Sequence, residues 1–355
     1  MCLEHENSRI VIKLERIDPF AGDAWDTCVA GREDHTIFHR SAWARVLAET
    51  YGHRPVYLRI LADDMEAALV PLMEVRSPLT GRCGVSLPFS DFAGPLWTDP
   101  DQAGGVYAAL TELAHERNWK RLDLRGGGPA PGRTAAFQTF DAHQLDLRPG
   151  LESLERGVDS SVRRALRKAA GRALRVSVET GEDAIASFFR LHVRTRRRHG
   201  LPPQPELFFH SISRHLLQQG HGIVVLARLG ATPVAGAVFF WSGGHAIYKF
   251  GASDPRHWPL RPNQRVMWAA IEHLVRIGCR SLHFGRTSKG DEGLARFKRS
   301  WGCVLFPLDY DRYRPVQRAW LPPASPRVES HRLFFGHLPH ALNRLAGRLI
   351  YPHLD

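Results

Sequence analysis

Residues 223–253, IVVLARLGATPVAGAVFFWSGGHAIYKFGAS, decide the fold of this chain. Three runs rich in β-branched, aromatic and small apolar residues are separated by short turn-forming segments at residues 229–232 and 242–244. Such runs are typical of strands, and short Gly-containing connections join antiparallel neighbours. The stretch therefore predicts three consecutive antiparallel strands.

A helix and one further strand follow these three strands. Residues 263–277 carry apolar side chains at i, i+3, i+4 and i+7, which is the spacing of one helix face. These side chains are Met267, Ala270, Ile271 and Leu274. The segment SLHFGR, residues 281–286, then has the composition of a strand.

The same order of elements occurs earlier in the chain. Residues 56–76 alternate on both sides of an Asp63-Asp64 turn, as a β-hairpin does, and they run on into VSLPFSDFAGPL. An amphipathic helix over residues 101–118 and the strand RLDLRG follow, and this strand starts at Arg121, 160 positions before Ser281. A repeat at this spacing indicates a duplicated domain.

We therefore predict an α/β (α+β) fold with two tandem domains, each a mixed, largely antiparallel sheet flanked by helices. The predicted divisions are residues 1–150, residues 151–315 with the main site, and residues 316–355 as a C-terminal helical tail. The length of 355 residues and a hydrophobic content of 43% are enough for two packed cores.

Composition and charge limit the compartment and the partners. The five cysteines are an odd number without a C-x-x-C pair, so we expect reduced thiols. No apolar stretch is long enough for a membrane span, and the N-terminus lacks a signal-peptide run, which predicts a cytoplasmic protein. The net charge of +12 favours an anionic partner, although solubility and an arginine-rich genome explain it equally well.

Two basic segments are candidates for that partner. One predicted helix ends at Gly171 and has an apolar stripe opposite a basic face. The basic face consists of Arg163, Arg164, Arg167 and Lys168. A phosphate-binding surface and a solvated face both remain open for it. The other segment, HRLFFGHLPHALNRLAGRLIYPHL, is divided by Pro339 into two short helices, which either pack on the second domain or attach peripherally to the anionic inner membrane.

Several kinds of site are excluded by their residue requirements. The chain has no H-E-x-x-H and no His, Cys or carboxylate group at metal-ligand spacing, so we predict no metal. It also lacks the G-x-x-x-x-G-K-[ST] phosphate loop and the G-x-S-x-G nucleophile elbow. We expect no tightly bound cofactor.

Three segments of the second half remain as candidates. Residues 190–209, RLHVRTRRRHGLPPQPELFF, and residues 248–263, YKFGASDPRHWPLRPN, are interpreted as loop edges of a site. Residues 284–302, FGRTSKGDEGLARFKRSWG, contain the end of a strand and a short helix with Arg296, Phe297, Lys298 and Trp301.

These segments resemble the FemAB family of the GNAT superfamily, in particular the branch found beside exosortase and exopolysaccharide systems. The second half carries the resemblance in SVRRALRKA, TRRRHGLPPQP, PVAGAVFF, YKFGASD, RPNQRVMWAAIEHLVRIGCRSLHFGRT and GLARFKRSWG. The first half contributes LPFSDFAGPL and RLDLRGG.

The resemblance implies two GNAT-like domains and transfer of an amino acid or acyl group to an amine. The best-known members take amino acids from aminoacyl-tRNA and add them to the peptide of a cell-wall precursor. For this chain it implies a cell-envelope or exopolysaccharide precursor as acceptor. An acyl-CoA N-acyltransferase and a non-catalytic RNA- or membrane-binding protein are the alternatives.

The donor-binding turn departs from the common GNAT pattern. Ordinary GNAT enzymes hold the coenzyme A pyrophosphate with an R-x-x-G-x-G/A turn at a helix N-terminus, using backbone N–H groups. Residues 260–264 here read LRPNQ, without those glycines. This favours aminoacyl-tRNA or another large anionic donor over acyl-CoA, which remains open.

Strand ends and the family-like motifs supply the candidate site residues. We assign Asp254 to orienting or deprotonating the amine and Tyr248 to polarising the carbonyl or donating a proton. The alternatives are a turn former at Asp254 and a core side chain at Tyr248. The substrate-binding candidates are Arg163, Arg164, Arg167, Lys168, Arg194, Arg196, Lys249, Ser253, Asn263, Arg286, Thr287 and Lys298. For Lys298, packing of the aliphatic stem near Trp301 is the alternative.

Overall fold

A computed structural model describes residues 10–78, 80–127, 130–170, 173–324 and 339–353. The strands are β1 Ile12–Arg16, β2 Arg54–Ala62, β3 Met65–Ser77, β4 Gly81–Val85, β5 Leu96–Trp97, β6 Arg121–Arg125, β7 Gln138–Asp146, β8 Leu174–Glu179, β9 Gly222–Leu229, β10 Thr232–Ser242, β11 His245–Ser253, β12 Ser281–Thr287, β13 Val304–Arg314 and β14 Ala319–Trp320. The helices are α1 Ala24–Ala30, α2 Ser41–Tyr51, α3 Ala103–Glu116, α4 Leu151–Gly157, α5 Ser160–Ala170, α6 Glu182–Arg198, α7 Glu206–Ile212, α8 Pro262–Arg276, α9 Glu292–Arg299 and α10 His340–Ile350.

The strands of the described residues form one continuous sheet. Their order is β1-β2-β3-β4-β6-β13-β7-β12-β11-β10-β9-β8, with β5 added to β3 and β14 added to β13. The pairs β4–β6 and β11–β12 are parallel, and the other neighbours are antiparallel. We call β1 to β6 the first half and β8 to β12 the second half.

The repeated order of hairpin, strand, helix and strand is present, with one correction: the third strand of the first half, β4, ends at Val85, so the segment VSLPFSDFAGPL is mostly loop instead of strand. In the first half the hairpin is formed by β2 and β3, with Asp63 and Asp64 as the two turn residues. In the second half the three consecutive strands are β9, β10 and β11. Helices α3 and α8 occupy equivalent places, and β6 and β12 begin at Arg121 and Ser281, as predicted. The predicted mixed, largely antiparallel sheet flanked by helices is therefore present.

Two strands are exchanged at the centre of the sheet. β7 precedes the second half in sequence, yet it pairs with β12, with Asp146 opposite Ser281. β13 follows the second half and pairs with β6 of the first, with Tyr310 opposite Arg125. β7 and β13 also pair with each other, so the two halves share one sheet. The division of the chain at residue 150 remains a prediction.

One hydrophobic core spans both halves on the face that carries α2, α6 and α7. Trp43 of α2 has its ring centroid 6.0 Å from that of Phe208 in α7 and 6.1 Å from that of Phe240 in β10. Trp43 is completely buried, so truncation to Ala would cost about 3–5 kcal/mol. Apolar packing therefore fixes the two halves against each other.

Candidate active site

The second half has a cleft where β11 and β12 stop pairing. Their parallel ladder covers only three residue pairs, from His245 with Ser281 to Ile247 with His283. Beyond it β11 carries an extra residue, Lys249, opposite β10, and β12 shifts register against β7 between His283 and Arg286. Bulges of this kind redirect side chains and end pairing, so both strands turn polar groups into the cleft.

The corresponding place in the first half is bridged by its own backbone. After β4 and β6 stop pairing, the N–H groups of Ser86 and Ala93 donate to the carbonyl oxygens of Asp123 and Arg125, each at 2.8 Å. The guanidinium of Arg125 also donates to the carbonyl oxygens of Leu87 and of Ser90. This loop bridges the first-half gap with backbone hydrogen bonds but leaves a cavity of about 440 Å³ beside it, with Gly94, Gly126 and Leu308 in its lining. The second-half cleft, between β11 and β12, is instead contacted by a side chain of this loop.

Asp91, on the same loop, reaches across into that cleft. Its Oδ2 lies 2.7 Å from Nζ of Lys249, and its Oδ1 accepts a hydrogen bond of 3.2 Å from the backbone N–H of Arg286. The hydroxyl of Tyr310 in β13 donates to the Asp91 carbonyl oxygen. Asp91 therefore joins β11, β12 and β13 at one point.

The ion pair of Asp91 and Lys249 lies largely out of water, with side-chain exposures of 14% and 9%. Burial by itself raises the pKa of Asp91. The charges of Lys249 and Arg286 outweigh that effect and hold the pKa of Asp91 well below its usual range. Burial also lowers the pKa of Lys249, and Asp91 opposes that shift. Asp91 is thus held as a carboxylate and is a weak base, suited to orienting cations rather than to accepting a proton.

Lys298 of α9 contacts β12 at the same cleft. The residue is 2% exposed, and its Nζ donates to the carbonyl oxygens of Gly285 at 2.7 Å and of Arg286 at 3.2 Å. Burial lowers the pKa of Lys298 from 10.5 to about 8. A buried amine that titrates near neutral pH beside a cleft is a feature of catalytic sites.

The backbone at Gly285 makes these contacts possible. Its φ of +70° lies in the left-handed region, and a Cβ there would lie 3.2 Å from Oδ1 of Asp91. Glycine adopts this conformation without steric cost, whereas other residues are strained. Gly285 lies within the register shift of β12, close to Asp91, and its carbonyl oxygen accepts from Lys298.

Several buried polar atoms of β7 and β12 have no hydrogen-bond partner among the described residues. They are the hydroxyl of Thr287, both ring nitrogens of His143 and Nε2 of His283. Nδ1 of His283 accepts from the N–H of Gly285 at 2.9 Å, and burial lowers the pKa of His283 to about 4, so its ring is neutral with the proton on Nε2. Buried polar groups are normally satisfied, so this set suits a polar substrate group.

A basic cavity of about 270 Å³ lies at the N-terminus of α8. It is lined by Arg164 and Lys168 of α5, by Arg261 and Gln264 at the start of α8, and by Ser300. Helix N-terminal N–H groups and the helix dipole attract anions, and the arginine and lysine side chains add full positive charge. The cavity can therefore hold phosphate groups.

The predicted basic face of α5 divides into two sets. The helix itself is confirmed over Ser160–Ala170, and Arg164 and Lys168 line the cavity. Arg163 instead donates to the carbonyl oxygens of Arg156 and Val158, which completes the end of α4. Arg167 is exposed and does not line the cavity. The structure thus brings two of the four residues to the cavity.

Asp254 lies beyond the end of β11, at the first turn of a short 3-10 helix, Pro255–Leu260. Its carboxylate accepts from the backbone N–H of Arg256 and pairs with the guanidinium of the same residue at 2.6 Å. These hydrogen bonds lower the pKa of Asp254 to about 2. A carboxylate held in this way is a poor proton acceptor, so the geometry favours the turn-forming interpretation.

The Tyr248 side chain packs against the hydrophobic core of the second half. Its ring centroid lies 5.3 Å from Phe239 and 6.1 Å from Phe284, and burial raises its pKa to about 12. A Cβ at Gly251 would lie 1.8 Å from the hydroxyl oxygen, so Gly251 makes room for this side chain. These contacts favour a packing role for Tyr248.

Residues 190–198 are helical, which corrects their interpretation as a loop edge. They form the second part of α6, because Leu191, His192 and Val193 are buried against the core. Arg194 is exposed, while Arg196 donates to the Pro202 carbonyl oxygen and to the Tyr351 hydroxyl. Arg196 is therefore tied to the C-terminal segment rather than to the cleft.

Ser253 and Asn263 lie together where β11 leads to α8. The hydroxyl of Ser253 accepts from Nδ2 of Asn263 at 3.3 Å and from Nε1 of Trp258 at 2.9 Å. Thr195 donates weakly to the Ser253 carbonyl oxygen. Of the predicted residues, Lys249, Arg286 and Lys298 are joined in the cleft, through Asp91 and through the Arg286 carbonyl oxygen. Thr287 is the next residue of β12 and is buried. Arg164 and Lys168 line the cavity near the start of α8.

The C-terminal helix α10 packs on the protein by one face. Gly347 approaches the Pro203 carbonyl oxygen so closely that a Cβ would lie 2.0 Å from it, and Arg344 pairs with Glu206. The opposite face exposes Leu342, Leu345 and Leu349. Packing, one of the two interpretations of this segment, is confirmed for α10. Membrane attachment remains a prediction, and the first predicted short helix lies outside the described residues.

Membrane-spanning helices and metal centres are both absent from the described residues. Within them, no helix is both long enough and apolar enough to cross a membrane. In the same part of the chain, no group of three or more His, Cys, Asp or Glu side chains is arranged to hold a metal ion.

Part of the chain matches a known protein family model. Residues 156–299 match the family model described as Acetyltransferase (GNAT) domain. No curated protein sequence matches the chain. The matched segment contains β11, α8, β12 and α9. It therefore includes the two strands of the cleft, Lys298 and most of the lining of the basic cavity, but not Asp91.

Three solved structures have similar folds. FemX is 14% identical with a TM-score of 0.68, and the match covers 85% of this chain and 97% of FemX. A tandem GNAT protein from the clavulanic acid biosynthesis pathway is 11% identical with a TM-score of 0.56, covering 86% and 99%. The C-terminal domain of a putative lysylphosphatidylglycerol synthetase from Agrobacterium fabrum is 13% identical with a TM-score of 0.51, covering 81% and 90%. The predicted tandem GNAT-like fold is confirmed.

Proposed function

We propose that the protein is a transferase that moves an amino acid or acyl group from an anionic donor to an amine. The observation that carries this proposal is Lys298, a buried lysine whose pKa is lowered to about 8 and whose Nζ lies at the bulge of β12. It occurs in the segment that matches the GNAT acetyltransferase model. The similarity of the whole fold to FemX supports an aminoacyltransferase of the FemAB type.

The reaction needs few groups. A neutral amine attacks the carbonyl carbon of an ester or thioester, a C–N bond forms, and negative charge collects on the carbonyl oxygen. The C–O or C–S bond then breaks, and the proton lost by the amine is available to the leaving group. The protein must hold both reactants and stabilise the oxyanion.

Lys298 is suited to stabilising that oxyanion. Two of its N–H groups are held by the carbonyl oxygens of Gly285 and Arg286, which fixes the ammonium and leaves a third N–H. A fixed cation in a site shielded from water stabilises developing negative charge strongly, because little reorganisation is needed. At pH 7 a lysine with a pKa of about 8 is mostly charged.

Asp91 and Lys249 have a positioning role in this proposal. The buried pair holds the bulged strands at a fixed separation and keeps Arg286 in place through its backbone N–H. The guanidinium of Arg286 lies over the Phe140 ring, 4.5 Å from the centroid, where it is available to a carboxylate or phosphate of the acceptor. Asp254 and Tyr248 are not assigned catalytic roles.

The donor binds through its phosphates in the basic cavity at the start of α8. Arg164, Lys168 and Arg261 supply the charge that the missing glycine turn does not. Aminoacyl-tRNA and acyl-CoA both fit this chemistry, and the absence of the glycines favours aminoacyl-tRNA. The acceptor is an amine of a cell-envelope or exopolysaccharide precursor, as the resemblance to the exosortase-associated branch implies.

Equilibrium binding of charged tRNA, uncharged tRNA and acetyl-CoA, each at two salt concentrations, tests the donor. Tighter binding of charged than of uncharged tRNA supports aminoacyl transfer, whereas saturable acetyl-CoA binding without tRNA binding makes the protein an acyl-CoA N-acyltransferase. Binding of all RNAs alike, with a steep salt dependence and no loss of the acyl group when an amine is added, would contradict a transferase.

A further inference from the structure

Trp258 is an exposed aromatic side chain three residues before Arg261, which lines the basic cavity. It belongs to the 3-10 helix Pro255–Leu260 and is 46% exposed. Among the Phe, Tyr and Trp side chains of the described residues it is the only exposed one, while the others are buried or half-buried. An exposed indole next to positive charge is a feature of surfaces that bind nucleotide bases.

The ring is held in a fixed orientation. Its Nε1 donates to Oγ of Ser253 at 2.9 Å, and the guanidinium carbon of Arg198 lies 5.3 Å from the ring centroid. Arg198 is itself fixed by a hydrogen bond of 3.0 Å from Nη1 to the Ser253 carbonyl oxygen. Because the indole is already ordered, a base that stacks on it loses little affinity to side-chain ordering.

The backbone links Trp258 to the cavity. The Trp258 carbonyl oxygen accepts from the backbone N–H of Arg261 at 2.9 Å, and Arg261 lines the cavity together with Arg164 and Lys168. One turn of 3-10 helix therefore carries both the exposed indole and a residue of the site for phosphates. A π-face and positive charge on neighbouring residues suit a nucleotide, whose base stacks while its phosphate binds the basic side chains.

We propose that Trp258 is a stacking surface for the terminal adenine of the donor. The proposal rests on the proposed function, because both donor classes end in this group: tRNA ends in a 3′-terminal adenosine, and coenzyme A carries an adenosine 3′,5′-bisphosphate. Stacking on Trp258 anchors the adenosine of the donor. In acyl-CoA the pantetheine arm then carries the thioester toward the cleft that contains Lys298, whereas in aminoacyl-tRNA the ester lies on the ribose of the stacked adenosine itself.

The test compares each donor with a version that lacks the adenosine. Dissociation constants are measured at one salt concentration for tRNA and for tRNA without its terminal adenosine, and for coenzyme A and for 4′-phosphopantetheine. Wild type, Trp258→Ala and Trp258→Phe are compared. Met65→Ala, at an exposed apolar position in the β2–β3 hairpin, is the matched control.

Trp258→Ala should weaken binding of the complete ligand by roughly 5- to 150-fold and leave binding of the truncated ligand unchanged. Trp258→Phe should retain most of the affinity, because it keeps a ring and loses only the Nε1 hydrogen bond. Thermal unfolding of each variant should match wild type, since the side chain is exposed. A difference confined to the tRNA pair identifies tRNA as the source of the adenine, and one confined to the coenzyme A pair identifies coenzyme A.

Two results would overturn the proposal, and they are distinguishable. If wild type binds a complete donor and Trp258→Ala binds it equally well, the stacking surface is wrong and the proposed function stands. If wild type binds neither tRNA nor coenzyme A, the proposed donor chemistry fails, and the role of Trp258 fails with it.

Discussion

Asp91 and Lys249 lie 158 positions apart in the chain, and their charged atoms are 2.7 Å apart in the cleft. Asp91 comes from a loop of the first half, and Lys249 is the extra residue in β11 of the second half. The loop of Asp91 also bridges the gap after β4 and β6 in the first half, so one segment contacts the diverging strands of both halves. The two halves are therefore one functional unit at this point.

Breaking this ion pair should destabilise the fold. Asp91→Asn leaves the ammonium of Lys249 buried without its counterion, and we expect a loss of about 3–5 kcal/mol in the free energy of unfolding. The double variant Asp91→Asn with Lys249→Met should recover much of that loss, because no buried charge remains. Urea unfolding measures both. The exposed pair of Asp146 and Arg148 is the control, and Asp146→Asn should cost less than about 1 kcal/mol. Additive losses in the double variant would contradict the coupling.

Lys298→Met should abolish most of the turnover. The variant removes the fixed cation while keeping an apolar stem of similar length, so we expect turnover to fall by about 10²- to 10³-fold with little change in donor affinity. Single-turnover transfer to an amine and donor binding are measured side by side. Lys289→Met, in the loop between β12 and α9, is the control and should behave like wild type. An unchanged rate for Lys298→Met would remove Lys298 from the mechanism.

The rate should decrease at alkaline pH. Burial lowers the pKa of Lys298 to about 8, so the ammonium is present below that pH and is lost as the pH rises through it. We expect the ratio of wild-type to Lys298→Met rates to be constant below about pH 7 and to fall above about pH 8. Taking the ratio removes the ionisation of the amine acceptor from the profile. A ratio that rises with pH would instead identify Lys298 as a proton acceptor.

Asp254→Asn should retain activity. Asn can still accept the hydrogen bond from the Arg256 backbone N–H, so the first turn of the 3-10 helix is preserved. We expect turnover within about threefold of wild type, and a slightly larger effect for Asp254→Ala, which loses that hydrogen bond. Steady-state rates of the two variants decide the point. A loss of 100-fold or more in Asp254→Asn would restore Asp254 as the base.

The basic face of α5 should act through two residues only. Changing Arg164 and Lys168 to Gln should weaken donor binding and reduce the slope of log affinity against log salt by about one for each phosphate that is no longer neutralised. Arg167→Gln changes the same helix outside the cavity and should have a smaller effect on affinity. Donor titrations at several salt concentrations measure both. Equal effects of Arg164→Gln and Arg167→Gln would indicate that the basic surface as a whole attracts the donor, and that the cavity is not a specific binding site.

Local sequence signals predicted most of the fold. Alternation around Asp63-Asp64 and the turns of residues 223–253 fix strand pairs of neighbouring segments, and helical spacing in residues 263–277 fixes α8. The 160-residue repeat then predicted the duplicated architecture. The exchange of β7 and β13 had no such signal, because it pairs strands that are distant in the chain.

The candidate site could be predicted only in part. Lys249, Arg286, Thr287 and Lys298 follow from strand ends and from the short helix in residues 284–302, and the contacts of Asp91 and of the Arg286 carbonyl oxygen join Lys249, Arg286 and Lys298 in the cleft. Asp91 was visible in LPFSDFAGPL, but nothing local distinguishes it from an ordinary loop aspartate. Asp254 was chosen for its place after β11, although its own neighbour Arg256 engages it.

The sequence by itself determined the repeated unit of hairpin, strand, helix and strand, and which basic residues exist to bind an anion, because these follow from periodicity, turn chemistry and composition. Only the tertiary structure decided that residues 190–198 are helical, that Asp91 reaches Lys249, which arginines line the cavity, and that Lys298 is buried with a lowered pKa. Those properties depend on desolvation and on contacts between residues far apart in the chain, and no local pattern encodes either of them.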